Sequence, residues 1–464
     1  MAVDAEKGRY MKPEGSRTWE YLVCLTCTIM STVVGLVQGW NSPAIVALMM
    51  PDSPIPIIAS DASTLIAVIS VGFVISTPLS MYLIEKIGRR KVMLMSALPM
   101  IVGWGLITVA TNIWILYTAR LLNGVAVGLF LNPLSIYMGE IASPCLRGAG
   151  LTINILSFNA GILLGYVIVP LLSLSMSSAI FMSITVAFLI MFYFMPESPY
   201  YLAMKGNIED TEAVLEKLRG KTDVSDELEV VLEAIKSKSS QRTGGLTELL
   251  TVRTNRRAFI INNILICSMH FGGFFTMIAF VQLIFQSVTS VFSDRTVAIV
   301  LGVVQLTSVL ITAFVVDRLG RKPLIMVSGV MVATANLVIA VFFYMKDFLY
   351  MDMSSYSLVP FIATIVLMFA NNCGAISLHI TVQSEIFATE IKALATCLGG
   401  ILGAVFHIIS AKTYILMAVT WGYGPMPAFL SYFVTVVICT VVTLRLMPET
   451  KGKTFVQIQK ELDN

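Results

Sequence analysis

The chain predicts an all-α membrane protein of twelve spanning helices arranged as two six-helix bundles. Three observations carry that expectation: the composition, the length of the apolar runs, and a set of motifs that occurs twice in the same order. Of the 464 residues, 56% are hydrophobic and only 13% charged, and the mean hydropathy is +0.83. A soluble core of this size has no room for so much apolar surface. A span needs about 20 mostly apolar residues, and such runs lie near 21–40, 62–84, 92–111, 115–138, 148–171 and 177–195, then near 257–285, 295–316, 323–344, 359–384, 393–417 and 425–447. Uncharged runs of this length differ from the roughly ten-residue alternating segments of an outer-membrane barrel. Each span is therefore read as a helix that satisfies its own backbone.

Charge sets the expected orientation. Lys7, Arg9, Lys12 and Arg17 precede the first span, and Lys and Arg crowd EKIGRRK (85–91), the stretch 204–257 and the tail after Pro448. The first loop on the other side carries Asp52 and Asp61. The positive-inside rule then places both termini and the central loop in the cytosol, and the N-terminal stretch lacks the pattern of a cleaved signal peptide. The expected organisation is a tail at 1–20, a first bundle at 21–195, a cytosolic linker at 196–256, a second bundle at 257–447 and a tail at 448–464. Within the linker, Asn207 and Ser225 stand at helix N-cap positions. Ile208, Val214 and Leu218 form one apolar stripe, and Leu228, Val231, Leu232 and Ile235 form another. Cys24 and Cys27 spell CxxC inside an apolar span, where packing explains them better than metal or redox chemistry. The net charge of +3 belongs to the cytosolic loops and implies no nucleic-acid partner. No GxSxG, Walker or zincin pattern is present, and no nucleophile, base and orienter assemble, so the chain reads as no enzyme and needs no cofactor or metal.

EKIGRR (85–90), GEIASPCLRG (139–148) and PESP (196–199) recur as DRLGRK (317–322), SEIFATEIKA (384–393) and PET (448–450). Duplicated halves of this kind enclose a midplane cavity in alternating-access transporters. Gly88 and Gly320 permit short turns between helices, and Arg89 and Arg321 have the geometry to fork onto Glu140, Glu385, Glu197 or Glu449. Arg120 inside the fourth span needs an interior partner, for which Glu85 or Glu140 is the expected choice. With Arg147, Asp317 and Lys392, these residues form an expected cytosolic gate that latches the halves together when that side is shut.

These motifs resemble the sugar porter branch of the major facilitator superfamily over about residues 20–456. The two D-R-x-G-R-R loops correspond to Glu85–Arg90 and Asp317–Lys322, the PESPRYL motif to PESPYYL (196–202), and PETKGK is complete at 448–453. GWNSPAI (39–45) and GVVQ (302–305) are similar to insect trehalose and hexose transporters in particular. The resemblance implies two bundles related by a pseudo-two-fold axis, a plasma-membrane location, a small-molecule solute of sugar type, the lipid bilayer as surroundings, and no obligate protein partner or cofactor. Proton-coupled members carry an aspartate in the first span where this chain has Asn41. An amide does not titrate, so uniport of trehalose or a hexose is expected.

Carried over residue by residue, the family's sugar site is largely replaced. The fifth-span glutamine falls on Ile155, the seventh-span amides on Met269, His270 and Phe275, the tenth-span GPxPW on Ile376 to Ile380 with His379 among them, and the eleventh-span pair on Gly403 and Ala404. Gln305 remains where the family places an amide, and Gln38 and Asn154 are polar residues available to a cavity. The expected cavity set is Gln305, His270, Phe275, Gln38, Asn41, Asn154 and His379. Two further readings follow from so few amides: a carrier of a less polar solute, for which unpaired amides are a penalty, or a sugar-sensing receptor that does not transport.

Overall fold

The computed structural model describes residues 16–240, 245–288, 292–387, 389–451, 453 and 455–463. Twelve helices among them are long and apolar enough to cross a membrane. In chain order they are α1 (Thr18–Met49), α2 (Ala59–Ile87), α3 (Arg89–Thr108), α4 (Ile113–Ile141), α5 (Gly148–Leu171), α6 (Leu174–Tyr193), α7 (Arg253–Gln286), α8 (Asp294–Thr312), α9 (Arg321–Phe348), α10 (Ser354–Gln383), α11 (Leu394–Thr420) and α12 (Met426–Leu446). No strand occurs among the described residues.

The two sets of six pack in the same way. In the first, α1 lies along α5, and α3 lies between α4 and α6; in the second, α7 lies along α11, and α9 lies between α10 and α12. The halves meet along α2–α11 and α5–α8, which are equivalents under the pseudo-two-fold, and where α1 touches α7. The first span outruns its expected end near residue 40. Helix resumes at Asn41 directly after Trp40 and continues to Met49, so Asn41, Ser42 and Pro43 sit inside the bundle.

Between α6 and α7 run short helices at Pro199–Met204, Ile208–Arg219, Ser225–Ser240 and Leu246–Thr251. The second lies against α1, with Leu215 and Leu218 buried, Lys217 3.7 Å over the Trp19 ring, and Arg219 paired with Glu20 at 3.3 Å and Glu227 at 2.6 Å. Ile208 is exposed, and Leu215 takes its place in the buried stripe. Neither expected cap forms through its own side chain. The Asn207 amide points to Asp210, and Asp223 accepts from both the N–H and the hydroxyl of Ser225.

The face that carries the repeated motifs is built from two matching turns. Gly88 between α2 and α3, at φ 101° and ψ 164°, and Gly320 before α9, at φ 87° and ψ 162°, adopt a backbone that side chains rarely tolerate. Each turn frees helix-initial N–H groups, and a carboxylate from the end of the same half collects them. Glu197 accepts from the N–H of Arg89 and Arg90, both at 3.0 Å, and Glu449 from those of Arg321 and Lys322, both at 3.0 Å. A negative group at a helix N-terminus is favoured by the backbone dipoles as well as by the bonds. A Cβ on Gly88 would stand 2.5 Å from Glu197 Oε2, so glycine is required there for contact as well as conformation.

The seventh span is interrupted. Helix runs over Arg253–Phe271, stops at Gly272, passes through Gly273 at φ 83°, and restarts over Phe274–Gln286. Continuous helix was the expectation for this run, because glycines in an apolar stretch read as packing residues. Carbonyls released at the break find donors on neighbouring helices: Asn336 Nδ2 of α9 donates to Gly272 O at 3.1 Å, and Ser410 Oγ of α11 to His270 O at 3.0 Å. Without them the break would leave bare carbonyls in hydrocarbon.

Two outcomes follow. Gly273→Ala forces an alanine into the left-handed region with its Cβ 2.9 Å from Asn336 Oδ1, so thermal unfolding of the detergent-purified protein should report a loss on the order of 1–3 kcal/mol. For Glu449, burial raises the carboxyl, and N–H bonds from Lys451, Arg321, Lys322 and Thr450 outweigh it, so the group lies below the ordinary glutamate range. A lowered carboxylate adds stability above its unfolded value, about 4.3, and that stability is lost as pH falls through the folded value. Melting temperature should therefore fall more steeply on acidification below about pH 4 in the parent than in Glu449→Gln, and parallel curves would contradict this account.

Candidate functional site

The break in α7 brings His270 at the end of one segment onto Phe275 at the start of the next. Their rings stack with centroids 4.8 Å apart and 18° between planes. His407 of α11 approaches both, at 5.7 Å from His270 and 5.2 Å from Phe275. Its Nδ1 shares a 2.8 Å hydrogen bond with Ser70 Oγ of α2, across the seam between halves. A Cβ on Gly403 would stand 3.2 Å from His270 Nε2. The glycine that replaces a polar residue on α11 thus makes room for the imidazole that replaces an amide on α7. Thr276, Ser410 and Tyr432 form a hydroxyl network behind the stack, with 2.9 Å between Thr276 Oγ1 and Tyr432 OH. His379 stands half-buried on α10.

The amides divide into separate groups. Gln38 is half-buried, and its Oε1 accepts from Asn41 Nδ2 at 3.3 Å. Asn41 Oδ1 in turn accepts from Arg120, whose guanidinium also donates to Val37 O at 2.9 Å and lies 4.6 Å over the Trp40 ring. Asn154 lies apart, bridging α1 and α5 by accepting from Ser31 Oγ at 2.7 Å and donating to Gly150 O. Gln305 is fully buried, with Nε2 3.4 Å from Met368 Sδ and Oε1 unpartnered. Asn123 and Asn262, which sequence reasoning did not single out, are buried with both amide atoms unpartnered. A lone amide within an apolar span was the signal available for each.

The expected gate residues resolve into two like clusters. Arg89 pairs with Glu140 at 2.8 Å and Arg321 with Glu385 at 2.7 Å. Glu140 also accepts from Ser198 Oγ. Glu197 and Glu449 hold backbone N–H groups, as described above. These pairs lie within one half each, so they do not bridge the halves here. Glu85 is exposed, Lys392 is half-buried just before α11, and the side chains of Arg147 and Asp317 lie outside the described residues. Arg120 departs from the expectation altogether. It sits near the far end of α4, and the twenty residues to Glu140 on the same helix correspond to about 30 Å. Its partners are an amide, a carbonyl and an indole, with no acid among them.

Hydrogen bonds that do cross between halves gather toward the face opposite the motifs. The Gln282 N–H donates to Ser42 Oγ at 3.0 Å, Tyr166 OH to Ile278 O at 2.8 Å, and Lys412 Nζ to Thr64 Oγ1 at 2.5 Å, in addition to Ser70 with His407. Asp61 strengthens this corner by accepting from Tyr117 OH at 2.8 Å. The molecule is thus closed on that face.

Comparison with known proteins matches this architecture and its motifs. Facilitated trehalose transporter Tret1 of Apis mellifera ligustica is 27% identical over 450 residues, covering 96% of this chain and 88% of that protein. Sugar transporter ERD6-like 6 of Arabidopsis thaliana is 28% identical over 454 residues, covering 94% and 89%. Among solved structures, the partially occluded inward open conformation of the xylose transporter XylE from E. coli superposes with a TM-score of 0.78 at 19% identity, over 94% of this chain and 100% of that one, which establishes the fold. The family model described as sugar (and other) transporter matches residues 23–462, and the chain belongs to that family.

Proposed function

We propose that the chain is a facilitative uniporter of a sugar, trehalose or a hexose, that works by alternating access in the plasma membrane with the motif face and both termini in the cytosol. The observation that carries uniport is the partner of Arg120. Its side-chain acceptor is the Asn41 amide, at the position where the resemblance puts an aspartate in proton-coupled carriers. A neutral amide holds the arginine in place and has no proton to release. The excess of Lys and Arg on the motif face supports a cytosolic assignment for it, and the names of the relatives support a sugar as solute. In this reading the conformation described above is the inward-facing one. The two gate clusters hold each half rigid, and the bonds of the opposite face, three neutral and one from Lys412, are those broken when the carrier opens outward.

A carrier of a less polar solute has one specific observation in its favour. The stacked His270, Phe275 and His407 present mainly ring faces, and Gln305 turns its donor to the Met368 sulfur. Both readings are separated by uptake of labelled trehalose, glucose and a panel of less polar solutes into oocytes at two pH values. We expect saturable trehalose or glucose uptake that a protonophore leaves unchanged; collapse with the proton gradient overturns uniport, and uptake of the less polar solutes alone overturns sugar. No movement of any solute despite surface expression favours a receptor.

The seam makes a second prediction. Lys412→Met removes the bond to Thr64 and should shift the resting population toward the outward-facing state. Cysteines placed on the α1–α7 contact should then react faster with an impermeant maleimide added outside, and an unchanged rate would remove Lys412 from the closure.

A further inference from the structure

We infer that the face opposite the motifs carries a second sugar site, separate from the proposed central one, in an open cleft of about 510 Å³ bordered by the ends of α7, α9 and α11 and by the loops that follow α9 and α11. Its volume lies within the range of pockets that hold small molecules. Two features of the backbone border the cleft. Helices α9 and α11 both end on this face in a widened π-type turn, at Tyr344–Phe348 and Leu416–Thr420. Beyond them the backbone passes through the left-handed region, at Tyr350 (φ 48°), where a side chain makes it costly, and at Gly422 and Gly424 (71° and 66°), where glycine adopts it freely. The turn at Tyr350 is held by bonds from the Leu349 N–H to Tyr344 O and from the Met351 N–H to Met345 O, the pattern of a left-handed helix C-terminus.

The polar groups of the pocket are fixed on one side. Lys346 Nζ donates to Ser287 O at the end of α7 and stands 3.6 Å from Asp347 Oδ1. The Asp347 carboxylate lies against Gly424, where any Cβ would collide with it. This pair is neutral as a unit, so the pocket has no excess charge with which to select an ion. Its acceptor oxygens and ammonium protons suit hydroxyl groups, each of which both donates and accepts. Aromatic rings supply the other side. Tyr350, 87% exposed, stands at the rim, and Tyr414, buried and stacked on Phe280, reaches the base of the cleft. Tyr423 and Phe348 stack at 6.3 Å beyond it, and Trp421 meets Tyr423 edge-on at 6.1 Å. A neutral pyranose, with a ring of hydroxyls around apolar C–H faces, matches hydroxyl-binding groups beside aromatic faces. An acyl chain would waste the ion pair, and an anion would meet the Asp347 carboxylate.

The inference rests on the sugar-carrier reading for its choice of probe, and the experiment separates the two. Purified full-length protein in detergent is titrated with trehalose and with glucose while indole fluorescence is followed, and Trp421→Phe identifies the share of the signal from Trp421. We expect a saturable change in the parent that is absent in Trp421→Phe, shifted at least tenfold to higher sugar in Tyr350→Ala and in Asp347→Asn, and retained in Gln305→Ala. Melting temperatures equal to the parent's confirm that the variants are folded. The inference is overturned if the Trp421 signal is absent up to molar sugar, if it is unmoved by Tyr350→Ala and Asp347→Asn, or if it is lost in Gln305→Ala, which would place the bound sugar in the central cavity. A retained, Asp347-dependent signal in a chain that moves no sugar in oocytes upholds this site and overturns uniport.

Discussion

Hydrocarbon leaves no backbone donor or acceptor unpaired without a cost of several kcal/mol, and that constraint governs each place where this molecule stops being a simple helix. The break in α7 exists only because Asn336 and Ser410 reach the carbonyls it releases. The turns at Gly88 and Gly320 bring two helix starts to the membrane boundary, and Glu197 and Glu449 collect their N–H groups. In each case a side chain from a distant segment of the same half completes the bond. These links tie α3 to the end of α6, α9 to the end of α12, and the break in α7 to α9 and α11, so each half holds its own geometry.

The strength of those links differs from the strength of the links between halves. Inside each half, the bonds on the motif face involve arginine and carboxylate, and such charge-assisted bonds are about twice as strong as neutral ones. Across the seam, three of the four named bonds are neutral and one comes from Lys412. At about 0.5–1.5 kcal/mol for a neutral bond and 1.5–3 kcal/mol for a charged one, the seam contributes a few kcal/mol. That is the size of gap across which two conformations exchange. Rigid halves joined by a weak, one-sided seam are what the proposed alternation requires, and the repeat ensures that each half presents an equivalent helix at both edges of the contact.

The twelve spans were legible because apolar runs of about 20 residues have few alternatives, and the motif turns were legible because glycine next to arginine at a repeated spacing specifies a tight, charged connection. Partner choice was legible only in part. Arg89 with Glu140 and Arg321 with Glu385 follow from charge, whereas the bonds of Glu197 and Glu449 run to backbone N–H groups that every residue possesses and no motif marks. Arg120 misled because a buried cation suggests an acid. Helical rise alone separates it from Glu140 by about 30 Å, and the amide and ring that hold it, Asn41 and Trp40, lie on α1, 79 residues or more away in sequence and marked by no charge. The α7 break was hidden by the same glycines that produce it, since Gly272 and Gly273 read equally as close packing. Asn336, which decides between the two, lies more than sixty residues away in sequence.

In the proposed central site the replacements at positions 270 and 403 lie against one another. An imidazole at position 270 needs the space that Gly403 leaves, and it needs Phe275 as a stacking face. A side chain at position 403 would crowd both His270 and Ile266, so the replacements at 270 and 403 fit one another. The result is not a purely apolar wall. His270, His407, Ser70, Thr276 and Ser410 bring donors and acceptors around the rings, and imidazole, like an amide, offers a donor and an acceptor from one planar group. The proposed sugar specificity thus rests on a different set of hydrogen-bonding groups from the amides of the family, held in place by the break in α7.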